Sequence, residues 1–144
     1  MNKMNLKLHH IGILVKDINK ASSEYVQKFG YSIQSGIIHD PVQTAFVQFL
    51  KLQDDAAYVE LIYPDGPGSK LTKQLKKGGG LNHFCYQTEH IEDSCRDLYA
   101  KGMFILQQPV AAVAFPGRRI AWCMGGDGIP VELVEKGDDA WKTP

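Results

Sequence analysis

At 144 residues the chain has the size of a single domain, able to bury a core without disulfides or a structural metal to hold it together. Sixteen Lys and Arg balance 16 Asp and Glu, so the formal charge of zero leaves no cationic surplus for a phosphate backbone and excludes nucleic acid as an expected partner. An apolar share of 44% and a charged share of 22% are globular values and exclude a disordered or fibrous chain.

No apolar run approaches the roughly 20 residues needed to span a bilayer. No signal-peptide apolar region follows the opening residues Met1 to Lys7, so a soluble, cytoplasmic protein with no membrane partner is expected. Cys85, Cys95 and Cys123 are odd in number and lack C-x-x-C spacing, which predicts reduced thiols, with Cys85 and Cys123 as small buried hydrophobes.

In chain order, the first expected strand holds Leu8-His9-His10-Ile11, and a helix of about three turns follows, capped by Asp17 and ended by Gly30. Further strands are expected over residues 32–38, over the aromatic and β-prone residues 45–51, and at Val59-Glu60-Leu61-Ile62. Asp65-Gly66-Pro67-Gly68 reads as a turn and residues 69–77 as a short helix. Gly78-Gly79-Gly80 reads as a flexible connection, because neither G-K-S/T nor a following helix accompanies it. After the strand with Leu81-Asn82-His83-Phe84 comes a second helix, capped by Thr88 or Glu89 and ended by Gly102. Strands follow over residues 104–108, 119–124 and 131–134, and the polar segment after Lys136 is expected to fray.

These elements repeat. A shift of 73 residues lays Leu8-His9-His10-Ile11 on Leu81-Asn82-His83-Phe84 and Ile18 on Ile91. A shift of 72 then lays Val59-Glu60-Leu61-Ile62 on Val131-Glu132-Leu133-Val134. The fold class is therefore α+β, two tandem βαβββ modules forming a curved mixed sheet around a metal-containing cavity. Residues 1–144 form one domain, with module one at about 6–64, linker and short helix at 65–80, module two at about 81–136 and a tail at 137–144.

Each module opens with a histidine-bearing strand and closes with a glutamate-bearing strand. Strand alternation puts His10 and Glu60 on the face opposite Ile11, Val59 and Leu61, and a glutamate buried within Val-Glu-Leu-Ile is costly unless paired or coordinating. If the modules pair about a pseudo-twofold axis, His10, Glu60, His83 and Glu132 converge. Two imidazoles and two carboxylates suit a divalent Zn, Ni, Co, Mn or Fe and leave positions open for a substrate oxygen. Histidines held by structural hydrogen bonds are the plainer alternative for each position taken singly.

With His-His-Ile-Gly-Ile-Leu-Val-Lys-Asp-Ile, Val-Glu-Leu-Ile-Tyr-Pro, Gly-Leu-Asn-His-Phe-Cys-Tyr and Val-Glu-Leu-Val-Glu, the chain resembles the vicinal oxygen chelate superfamily over about residues 6–136. That superfamily includes glyoxalase I, methylmalonyl-CoA epimerase, extradiol dioxygenases and antibiotic-resistance proteins. The resemblance implies that His10, Glu60, His83 and Glu132 are the metal ligands.

It further implies an isomerase, epimerase or lyase that abstracts a proton next to a carbonyl through a metal-stabilised enediolate, with Glu132 as the base. The His-Glu-His-Glu set is that of bacterial glyoxalase I, a lactoylglutathione lyase. Leu14 and Pro64, however, stand where the glutathione pattern expects Arg and Asn. The linker and the Gly-Gly-Gly-Leu-Asn-His approach resemble the epimerase branch, in which Gln48 aligns with a second base, although an amide cannot accept a proton at neutral pH. Gln48, Arg118 and Arg119 are the substrate-binding candidates. The two arginines would take a substrate carboxylate or phosphate, with surface solvation as the alternative. A small-molecule substrate is implied, dimers are common in the superfamily, and a non-catalytic drug-binding resistance protein is the alternative of a different class.

Overall fold

The computed structural model describes residues 4–142. Its elements run β1 (Lys7–Leu14), α1 (Ile18–Phe29), β2 (Ser32–Ile33), β3 (Ile38–Asp40), β4 (Ala45–Lys51), β5 (Tyr58–Pro64), α2 (Thr72–Lys76), β6 (Gly80–Thr88), α3 (Ile91–Ala100), β7 (Phe104–Ala111), β8 (Arg119–Met124) and β9 (Pro130–Glu135). This is the expected α+β order of two successive modules. By internal contacts the chain divides into a first unit, His10–Asn82 with the segment from Ala140 onward, and a second, the residues up to His9 with His83–Asp139.

Both units follow one pairing scheme. In the first, β1 runs parallel to β5, β5 pairs antiparallel with β4, and β4 takes both β2 and β3 antiparallel. In the second, β6 runs parallel to β9, followed by antiparallel β8 and β7. The histidine strand thus lies beside the glutamate strand in each, and the sheet of each unit is mixed.

The helices cover one face of each sheet. Asp17 caps α1 by accepting from Lys20 N at 3.0 Å, and Gly30 ends it at φ 78°, as predicted. α1 lays Ile18 against Leu50 and Leu61, with Ile13, Tyr25 and Val59 around them. Burying each such leucine contributes about 2 kcal/mol. In the second unit Ile91 and Cys95 of α3 pack on Ala121 and Leu133, with Leu6, Leu98 and Ile105 at the margin. All three cysteines are free and buried, and burial pushes the Cys123 thiol up to about 11 and raises that of Cys95, as fits packing residues rather than nucleophiles.

The local expectations fail where a distant partner intervenes. The strand expected over residues 32–38 is two short strands, because fully buried Ser35 turns its hydroxyl into the sheet. Ser35 Oγ accepts from Phe49 N at 3.0 Å and donates to the carbonyl of Gly36, replacing a backbone acceptor and breaking the strand for a few residues. The cap of α3 is His90, not Thr88 or Glu89. Thr88 Oγ1 instead accepts from His90 N at 3.3 Å and pairs with Ser94 Oγ at 2.6 Å. Among the described residues no helix is long and apolar enough to cross a membrane.

The glycine triplet is a shaped turn rather than a loose connection. Gly78, Gly79 and Gly80 all have positive φ, and a Cβ on Gly79 would lie 2.6 Å from the Leu14 carbonyl oxygen. The segment after Lys136 is anchored rather than frayed. Asp139 receives His9 Nε2 at 3.0 Å and Arg118 Nη1 at 2.6 Å, while Trp141 stacks on Phe49 with centroids 4.1 Å apart. Burial alone would raise the Asp139 carboxyl, but the hydrogen bonds and charges of His9 and Arg118 outweigh it and hold the group at about 2.

Gly79→Ala combines a forbidden φ with a backbone clash, so chemical denaturation should show a loss of about 2 kcal/mol or more, whereas Gly66→Ala, which has open space and no positive φ, should lose far less. Asp139 has a depressed folded pKa, so its contribution is complete above the ordinary value of 3.8 and is lost as pH falls from there towards about 2. Urea unfolding between pH 2 and 6 should show that acid limb in the parent. Asp139→Asn should be less stable at pH 6, because Arg118 is left buried and unpaired, and should lack the Asp139 part of the slope.

Candidate functional site

Alternation along β1 and β5 places His10 and Glu60 on the sheet face turned away from α1, since Leu61 and Leu50 supply the helix-facing core. In the parallel pairing Glu60 stands opposite Gly12, two residues beyond His10, and on its other side it is directly across from Phe49. His10 is fully buried and Glu60 is 6% exposed, and His10 Nε2 lies 3.4 Å from Glu60 Oε1. The Phe49 ring meets the His10 imidazole edge-on at 5.3 Å. Trp141, stacked on Phe49, also sits edge-on to Tyr58 at 5.0 Å.

The second unit repeats this arrangement. Glu132 on β9 stands opposite Cys85, two residues beyond His83, and directly across from Trp122 on β8. Both are buried, His83 Nε2 lies 3.4 Å from Glu132 Oε1, and Trp122 meets His83 edge-on at 4.8 Å. Each unit therefore offers one imidazole nitrogen and one carboxylate, side by side, with an aromatic ring behind them.

The donor chemistry fits a divalent cation. Two donors at roughly 2.1 Å from one ion sit about 3.0 to 3.4 Å apart, depending on the coordination angle. The observed 3.4 Å in both units falls in that range.

The remaining candidates lie elsewhere. Gln48 neighbours Phe49 on β4 and so points to the opposite face, under α1, where its Nε2 donates to the Ser35 carbonyl at 3.2 Å and its Oε1 is buried without a hydrogen-bond partner. It lines a small cavity of about 340 Å³ with Asn19, Ser22, Ser23 and Gln27, away from Glu60. Arg118 is buried, bonded through Nε to the Glu135 carbonyl at 2.7 Å and through Nη1 to Asp139, and lies over the Phe115 ring. Arg119 bridges Glu135, at 2.9 Å, and Glu92 of α3, at 2.5 Å. Its hydrogen bond holds both carboxyls below their ordinary range, and its own pKa is raised by Glu135 first and Glu92 second. Both arginines are thus committed within the second unit.

Of the other histidines, His9 is held by Asp139 and Phe115, and His39 on β3 pairs with Asp65 at 3.0 Å. Sequence reasoning missed Phe49 and Trp141. Phe49 stands across from the first glutamate as Trp122 does from the second, but the shift of 72 lays it on Ala121, so the repeat did not give it. Trp141 lies beyond the repeat and left no local signal.

The model of the glyoxalase/bleomycin resistance protein/dioxygenase superfamily matches residues 9–122. An ethylmalonyl-CoA/methylmalonyl-CoA epimerase of Cereibacter sphaeroides is 33% identical over 90% of this chain and 97% of its own length. The mitochondrial methylmalonyl-CoA epimerase of Mus musculus is 30% identical over 90% of this chain and 72% of its own. Among solved structures, a Streptomyces coelicolor methylmalonyl-CoA epimerase variant in complex with 2-nitronate-propionyl-CoA aligns with a TM-score of 0.79 and 25% identity, covering 92% of this chain and 98% of that one. With most of its length matched by the family model and a third of its aligned residues shared with a full-length relative, the chain belongs to the glyoxalase/bleomycin resistance protein/dioxygenase superfamily.

Proposed function

We propose that this chain is a divalent-metal-dependent epimerase of small 2-substituted malonyl-CoA thioesters. The observation that carries the reading is the duplicated buried His–Glu pair, with Nε2 and Oε1 3.4 Å apart in each unit. The epimerase relatives, and a structural relative crystallised with a propionyl-CoA nitronate, supply the substrate class.

His10 and His83 would offer their Nε2 atoms and Glu60 and Glu132 their carboxylates to one cation. When bound, that cation supplies Lewis-acid stabilisation of the negative charge that develops on the thioester oxygen as the adjacent proton leaves. Glu132 is the base: its carboxylate takes the proton from the carbon between the two carbonyls. The apolar ring behind each pair excludes water and keeps the carboxylates in a low-dielectric setting where proton transfer is not short-circuited by solvent.

Reprotonation on the opposite side needs a second donor. Gln48 is not that group, since its amide neither gives nor accepts a proton at neutral pH and it lies on the α1 face of its sheet. Glu60, the matching carboxylate, or solvent remains.

Methylmalonyl-CoA incubated in deuterium oxide with the metal-loaded protein should exchange its C2 proton. Glu132→Gln should slow that exchange at least about a hundredfold, while mass spectrometry still finds much of the metal bound. Undiminished exchange in that variant would remove Glu132 from the base role. Exchange into the hemithioacetal of methylglyoxal and glutathione, with none into the malonyl thioester, would assign the chain to the lyase branch instead.

A further inference from the structure

The segment after β9 carries an aromatic side chain onto the same sheet face as His10 and Glu60. Trp141 lies flat on Phe49, with centroids 4.1 Å apart and planes 8° from parallel, and Tyr58 closes on its edge at 5.0 Å. Phe49 is fully buried, whereas Trp141 retains exposed surface beyond the stack. Two ring contacts, of 4.1 and 5.3 Å, separate the indole from the His10 imidazole.

This placement is pinned rather than incidental. Directly after the indole, the Lys142 carbonyl accepts from Gly36 N at 3.2 Å. Gly36 belongs to the break between β2 and β3, the irregularity created by Ser35. A stacked aromatic pair is favoured beyond its buried area, which keeps one indole orientation once the neighbouring backbone is fixed.

We propose that Trp141 is a specificity-determining residue, a fixed aromatic wall that limits the size of the acyl group presented beside His10 and Glu60. The proposal rests on the epimerase reading above. A substrate whose oxygens reach a cation held by His10 and Glu60 carries its C2 substituent within a few ångströms of them, inside the reach of the Phe49–Trp141 stack. A wall of this kind discriminates by one or two methylenes, the difference between methyl, ethyl and propyl substituents.

Trp141→Ala removes the plate, and the ratio of kcat/KM for propylmalonyl-CoA to that for methylmalonyl-CoA should rise about tenfold or more. Trp141→Phe keeps a ring on Phe49 and should stay near the parent ratio. A ratio unchanged in the alanine variant, with a cooperative thermal melt showing that it is folded, overturns the proposal. Trp122→Phe leaves Trp141 as the one tryptophan, and Co(II) titration should quench most of its emission, since one ring, Phe49, stands between the indole and the His10 imidazole. Unquenched emission in the Co(II)-loaded variant also overturns the proposal. A parent protein inactive on every malonyl thioester would fall against the epimerase reading alone, and the quenching would then decide whether Trp141 walls the site.

Discussion

A carboxylate placed in the middle of an apolar strand and sealed from water is the constraint around which both units are arranged. Glu60 and Glu132 are 6% and 5% exposed, each flanked by residues that pack under a helix. Isolated, such a charge would be strongly destabilising; beside an imidazole it becomes tolerable. The register of the sheets follows from this. A slip of one residue along β5 or β9 would turn the glutamate under α1 or α3 and carry Leu61 or Leu133 to the polar face, losing core and site together.

Duplication supplies the donors in matched pairs, but their surroundings have diverged. Glu60 faces Phe49 on one side and the bare backbone of Gly12 on the other, whereas Glu132 faces Trp122 and the thiol-bearing Cys85. The first unit then receives Trp141 on its aromatic layer, with no counterpart in the repeat. Symmetry accounts for the presence of two imidazoles and two carboxylates. The asymmetric rings and small residues around them are what can give two chemically identical carboxylates different tasks.

Most of the architecture was legible because it is written in local chemistry: Asp17 and Gly30 bracket α1, β-prone residues 119–124 form β8, and the glutamates sit at matching places in two similar apolar runs. What escaped depends on partners far along the chain. Ser35 breaks a strand through the Phe49 amide, Gly79 is pressed on Leu14, and Asp139 reaches His9 across 130 residues. None of these contacts leaves a pattern in a short window. Gln48 is likewise placed by the register, one step along β4 from Phe49, which stands across from Glu60.

The two arginines bear on how an anionic thioester would be recognised. Arg118 is spent on Asp139 and the Glu135 carbonyl, and Arg119 on tying α3 to β9 through Glu92 and Glu135. Neither can reach out to a carboxylate without surrendering a buried or networked partner, and the chain as a whole carries no positive surplus to attract one. Under the proposed function, recognition by oxygen chelation would answer both facts. Held by a His–Glu pair, a divalent cation would supply positive charge where the substrate's own charge develops, and the arginines would keep their structural tasks, Arg118 on Asp139 and Arg119 on Glu92 and Glu135.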